Sequence, residues 1–226
     1  MILSSLKNNL IVSCQAPKNS PLHNPLIIAA IAKVAINCGA MGVRLDTPDH
    51  VQAVRENIGD VPIIGLWKQQ IPGCEVYITP RFKDAAAIAQ AGADIIAIDG
   101  TARERPNGET LEELIPRIHK ELDKLVMADV DTIENAILAT KAGADIVGTT
   151  LYGYTSQTKD LSPPGWQLLQ EMVTKLAIPA ICEGGIASPT MAKKALEWGA
   201  YAVVVGTAIT GIDLQIQNYV SMLSCD

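Results

Sequence analysis

The sequence predicts a single (β/α)8 barrel over residues 1–226, and three observations carry that prediction. Eight short runs rich in Val and Ile alternate with longer stretches of helical period. A Gly-Ala pair recurs at Gly39, Gly92, Gly143 and Gly199, at intervals of 53, 51 and 56 residues, which is the length of two strand–helix units. The chain has 226 residues, and such barrels commonly run roughly 200 to 250 residues as one domain. An open doubly wound sheet uses the same units, but eight of them in this length favour closure.

The elements follow in order. The first strand is read at 10–14 (LIVSC), and Asn24-Pro25 opens the helix after it with a capping side chain before a proline. Gly39 closes that helix, and the second strand follows at 41–45 (MGVRL). The third strand, 62–67 (PIIGLW), leads to a predicted helix start at Thr79-Pro80, with Gly92 at its far end. Strands four and five are 95–99 (IIAID) and 125–129 (LVMAD); Gly143 then precedes strand six at 145–149 (DIVGT). Strand seven is 179–183 (PAICE), Ser188-Pro189 opens the next helix, and Gly199 precedes strand eight at 202–206 (AVVVG). No linker or low-complexity run separates a second domain.

Composition narrows the function classes. Hydrophobic residues make up 48%, with one Phe, three Trp and five Tyr, so aliphatic packing dominates the expected core. A net charge of −6 offers no basic footprint for nucleic acid or an anionic membrane. The five cysteines (Cys14, Cys38, Cys74, Cys182, Cys225) form no CxxC pair and are odd in number. That pattern fits a reducing cytosol better than a disulfide framework. No signal-peptide core or twenty-residue apolar run is present, so the expected location is cytoplasmic. His23, His50 and His119 show no ligand spacing, so no metal is expected. The absence of GxGxxG and P-loop runs indicates no bound nucleotide.

Barrels of this type place their chemistry at the carboxyl ends of the strands. Those ends hold Gln15, Arg44, Lys68, Asp99 with Thr101, Asp129, Thr149 with Thr150, Glu183, and Gly206 with Thr207. Lys68 is a candidate general base, because a partly desolvated amine near another cation such as Arg44 loses its proton more readily. Schiff-base chemistry at the same lysine stays open on these residues alone. Glu183 is a candidate proton carrier or hydroxyl contact. Arg44 offers a rigid fork for a carbonyl or anion, against a structural pairing with Asp46 or Asp49. Asp129 is read as orienting Lys68 or binding sugar hydroxyls, with Asp99 a weaker candidate. The glycine segments 184–186 and 206–208 follow strands seven and eight, where these barrels bind phosphate through backbone amides.

Taken together, the motifs NLIVSCQA with PLH, IIGLWK, VYITP, AIDGTARERPNGET, MADVDTIENA, DIVGTTLYGYT, ICEGGI and GAYAVVVGTAIT resemble the N-acetylmannosamine-6-phosphate 2-epimerase family across essentially the whole chain. The resemblance implies interconversion of N-acetylmannosamine 6-phosphate and N-acetylglucosamine 6-phosphate with no dissociable cofactor. It places the catalytic pair at Lys68 and Glu183, and substrate contacts at Gln15, Arg44 and Asp129; Thr150, at the end of strand six, is counted as a further substrate contact. Phosphate-binding backbone falls at Gly185, Gly206 and Thr207. The expected partner is therefore a small phosphosugar, with a homodimer as the expected assembly. The chain departs from the family pattern at Gly185 and Gly211, where the family usually has arginine, and in the Leu45-Asp46-Thr47-Pro48 segment.

Overall fold

The computed structural model describes residues 2–224 and consists of eight parallel strands closed into one barrel. The strands are β1 (Leu10–Ser13), β2 (Gly42–Asp46), β3 (Ile63–Leu66), β4 (Ile95–Asp99), β5 (Leu125–Asp129), β6 (Ile146–Gly148), β7 (Ala180–Cys182) and β8 (Ala202–Val205). Each pairs with its sequence neighbours, and β1 closes on β8 through Leu10 opposite Val203 and Val12 opposite Val205. Every strand read from the sequence is present; β4 and β5 match the reading, and the others are trimmed or shifted by a residue or two. Cys225 lies outside the described residues.

The pleat sorts side chains into two layers. Ile11, Ile64, Leu66, Ile95, Ala97, Met127, Ile146, Ile181 and Val204 fill the barrel interior. Their alternates, among them Val12, Val43, Ile63, Ile96, Val126, Val147 and Val203, pack beneath the surrounding helices. The short helix α1 (Ile2–Leu6) plugs the amino-terminal end by sending Leu6 into the interior cluster. A hydrogen bond from Tyr201 Oη to Leu3 O, 2.8 Å long, holds that plug in place.

The outer helices are α2 (Pro25–Asn37), α3 (Pro48–Ile58), α4 (Phe82–Gln90), α5 (Leu111–Arg117), α6 (Ile133–Lys141), α7 (Trp166–Lys175) and α8 (Pro189–Glu197); α9 (Thr207–Thr210) and α10 (Ile212–Leu223) follow β8. Asn24 and Ser188 cap α2 and α8 as their Asn-Pro and Ser-Pro pairs predict. Gly39, Gly92, Gly143 and Gly199 all have φ between 95° and 106° at the helix-to-strand corners, a region that disfavours any side chain.

One predicted start is displaced. Thr79 does not cap a helix; α4 begins at Phe82. The Thr79 hydroxyl instead donates to Ala97 O at 2.7 Å and accepts from Trp67 N at 3.0 Å. It thereby stitches β3 to β4 where the strand ladder has ended. Among the described residues no helix is long and apolar enough to cross a membrane.

Candidate active site

Continuing the two-residue alternation past each strand fixes which side chains enter the barrel mouth. Ile11 and Ser13 lead to Gln15, Ile64 and Leu66 to Lys68, Met127 to Asp129, Ile146 and Gly148 to Thr150, Ile181 to Glu183, and Ala202 and Val204 to Gly206. On β2 the inward positions are Arg44 and Asp46, because Val43 and Leu45 belong to the outer layer. The strand-end candidates therefore converge for one geometric reason. A cavity of about 1230 Å³ opens over them, lined by Gln15, Arg44, Asp46, Lys68, Thr150 and Glu183 among others.

Arg44 sits at the floor, 1% exposed. Its Nη2 donates to Asp129 Oδ2 at 2.6 Å, and its Nη1 reaches Asp129 Oδ1 at 3.3 Å, the Thr150 hydroxyl at 3.2 Å and Glu183 Oε2. The structural pairing with Asp46 or Asp49 weighed from sequence is absent; the partners come from β5 and β7 across the barrel. The Thr150 hydroxyl lies 2.7 Å from Asp129 Oδ1 and 3.1 Å from Glu183 Oε2. Thr149 exchanges hydrogen bonds with the backbone of Glu183, at 2.7 Å and 3.0 Å, and so fixes where that carboxylate points. Gly148 makes room for the cluster, since a Cβ there would meet Met127 Cε at 2.4 Å and lie 3.4 Å from Asp129 Oδ1.

Lys68 stands on the opposite side of the mouth. Its Nζ donates to Gln15 Oε1 at 2.5 Å, and Gln15 Nε2 donates in turn to Ser13 Oγ at 3.0 Å. Asp46 Oδ1 accepts from Lys68 N at 2.9 Å, so the segment that departs from the family pattern positions this residue. Gln15 and Asp46, rather than Asp129, orient the lysine.

Electrostatics divides the two sides. Burial pushes the Lys68 amine below the usual lysine range, aided by Arg44 and opposed mainly by Asp46. Burial pushes the Glu183 carboxyl above the usual carboxylate range, opposed mainly by Arg44. Asp129 is raised for the same reason, also against Arg44. Burial acts against charge on Arg44 too, but Asp129 and Glu183 outweigh it and hold the guanidinium charged. Burial likewise lifts Tyr77, on the cavity wall, to about 12, so its hydroxyl stays protonated.

Asp99 takes no part in this cluster. Its carboxylate is engaged by Arg103 Nη2 at 2.6 Å and by the Thr101 hydroxyl at 2.6 Å, and it ties down the loop after β4. His23 and His50, far apart in sequence, meet edge to face with ring centroids 4.5 Å apart. The glycine segments reach the cavity wall: Gly184 and Gly185 have φ of 93° and 71°, and Gly206 stands before Thr207 at the start of α9. A Cβ at Gly185 would sit 2.6 Å from Pro163 Cβ, and one at Gly211 would sit 2.7 Å from Thr207 Cα. Gly185 is thus packed closed by Pro163 and Gly211 by Thr207. Sequence reading passed over Asp46, Tyr77 and Gly148 as site residues; counting by twos from the strand interiors would have singled out Asp46.

The family described as "Putative N-acetylmannosamine-6-phosphate epimerase" matches residues 28–224. A relative from Synechococcus elongatus named as the 2-epimerase form of that description is 60% identical over 223 residues, covering 98% of this chain and 96% of its own length. Another so named, from Caldanaerobacter subterraneus, is 45% identical over 210 residues, covering 92% and 88%. Among solved structures, the N-acetylmannosamine-6-phosphate 2-epimerase from Clostridium perfringens superposes with a TM-score of 0.93 at 39% identity, over 98% of this chain and 96% of that one. Thiamine phosphate pyrophosphorylase from Pyrococcus furiosus, at 18% identity and a TM-score of 0.63, shares the fold alone. Identity sustained over nearly the full length, together with the barrel mouth just described, places this chain in the N-acetylmannosamine-6-phosphate epimerase family.

Proposed function

We propose that this protein interconverts N-acetylmannosamine 6-phosphate and N-acetylglucosamine 6-phosphate by removing and returning the proton at C2. The observation that carries the reading is the facing pair in one cavity: an amine, Lys68, driven below its usual range, and a carboxyl, Glu183, driven above its own. A base and an acid whose pKa values are brought toward each other suit proton abstraction next to a carbonyl and reprotonation of the product.

In the opened sugar, the hydrogen on the acetamido-bearing carbon beside the aldehyde is weakly acidic. Neutral Lys68 takes it, held by Gln15 and by the Asp46 contact to its backbone. The developing enediolate oxygen is stabilised by the Gln15 amide and by the charge of Arg44. Arg44 acts here chiefly through its field, since both Nη atoms are already engaged. Glu183 delivers the proton to the opposite face, and Thr150 and Arg44 hold it in place. Phosphate is bound by the backbone at Gly185, Gly206 and Thr207, where glycine permits close approach.

Lys68→Ala is the direct test. Turnover falls at least about a hundredfold, while calorimetric binding of the phosphosugar is retained. Substantial residual turnover removes Lys68 from the role.

The protein acts as a homodimer in the cytosol on this reading. No residue of α10 is buried, and Tyr219 and Met222 are 74% and 78% exposed, an apolar surface that a second copy covers. Cys14, Cys38, Cys74 and Cys182 are unpaired, which suits a reducing compartment. Light scattering reads the assembly: a dimer that a Tyr219→Glu, Met222→Glu variant dissociates supports the assignment, and a monomeric native protein rejects it.

A further inference from the structure

The cavity holds three cations along its wall, Lys18, Arg44 and Lys68. Two of them are committed. Arg44 is buried and bound to Asp129 and Glu183, and Lys68 donates to Gln15 at the strand ends. Neither is free to balance a dianion. The glycine segments that frame the rest of the cavity offer no cationic side chain either, and the contacts at Gly185 and Gly211 leave no room for one there.

Lys18 is different. It is exposed, lines the same cavity, and has no hydrogen-bond or ion-pair partner among the described residues. Its loop is nevertheless held in shape. Ser20 N donates to Pro17 O at 2.9 Å, which makes Lys18 a corner residue of a tight turn. Ser20 Oγ donates to Asp213 Oδ2 at 3.0 Å, tying the turn to the first turn of α10. The ring of His23 bonds Ala16 O at 3.0 Å and anchors the loop at both sides of Lys18. Asp213, which also lines the cavity, accepts the Ser20 hydroxyl and forms no ion pair with Lys18 among the described residues.

We infer that Lys18 is the specificity residue for the phosphorylated sugar, its ammonium supplying the countercharge that the backbone amides at Gly185, Gly206 and Thr207 lack. The inference rests on the phosphosugar reading above and adds to it the residue that sets the preference. An ammonium on an ordered turn reaches a phosphate as a point charge without needing the planar fit of a guanidinium.

Lys18→Met keeps the aliphatic stem and removes the charge, and Lys18→Arg keeps the charge. Steady-state kinetics on N-acetylmannosamine 6-phosphate should show KM raised about tenfold or more in Lys18→Met, with kcat within twofold of native and KM largely recovered in Lys18→Arg. The native decline of kcat/KM with rising salt should flatten in Lys18→Met. Titration with inorganic phosphate, which needs no turnover, should show the same weakening. Native turnover of the phosphosugar with an unchanged KM in Lys18→Met overturns the role of Lys18 and leaves the proposed function standing. Absence of native turnover overturns the function, and equal phosphate affinity in the native and Lys18→Met proteins then overturns Lys18 as well.

Discussion

Arg44→Met isolates the buried charge cluster on which the site is built. The substitution keeps an unbranched apolar stem and removes a guanidinium that is 1% exposed and bonded to Asp129 and Glu183. Two carboxylates are then left buried without a counterion. Removing one partner of such a cluster costs about 3–5 kcal/mol, which for a chain of this size lowers Tm by roughly 6–20 °C. The loss depends on pH with a definite sign. Burial already raises the folded-state pKa of Asp129 and Glu183, and Arg44 opposes that rise. Without it both rise further, so the folded state binds more protons than the unfolded state between the ordinary carboxylate range and the raised values. Stability therefore falls as pH climbs through that window and recovers as pH falls back. Urea unfolding at about pH 7.5 and about pH 5.5 should show the larger deficit at the higher pH. Asp129→Asn on the Arg44→Met background should restore at least about 1 kcal/mol. A deficit below about 1 kcal/mol, or one equal at both pH values, refutes the account of the cluster as a charge-balanced unit.

Three further outcomes follow from the same geometry. Asp46→Asn keeps an oxygen for Lys68 N but removes the charge that favours the ammonium; the rising acid limb of kcat/KM moves to lower pH, and an unmoved limb argues that Asp46 acts through structure alone. Thr150→Val removes the hydroxyl shared by Asp129 and Glu183, at about 1–3 kcal/mol of stability and with a lower kcat; unchanged values of both speak against the shared contact. Gly185→Ala places a Cβ at φ 71° and 2.6 Å from Pro163 Cβ; it destabilises by about 1–3 kcal/mol and raises KM for the phosphosugar, and a neutral effect contradicts the close packing there.

The fold was largely legible in the sequence because barrel closure rests on repeated local signals. Alternating strand and helix periods, and four glycines at φ near 100°, write it out element by element. The displaced start at Thr79 shows the limit: a hydroxyl that caps a helix from sequence instead serves Trp67 N and Ala97 O, a demand set by two strands that only the folded chain brings together. Most of the strand-end residues that line the candidate cavity were legible for the same reason as the fold, since strand-end positions are countable, whereas Asp46 and Tyr77 were not. The pairings were not. Arg44 finds Asp129 and Glu183, which lie 85 and 139 residues away, instead of the nearby Asp46 and Asp49. Asp46 turns to the backbone of Lys68, and Asp99 is claimed by Arg103 and Thr101. His23 and His50 likewise meet only because β1 and β2 are adjacent in the barrel.

Proton NMR of the protein with N-acetylmannosamine 6-phosphate in deuterium oxide tests proton transfer at C2 most directly. The account predicts that N-acetylglucosamine 6-phosphate appears with deuterium at C2. Epimer that retains its original C2 hydrogen, or no reaction by a protein that binds the sugar, would contradict it.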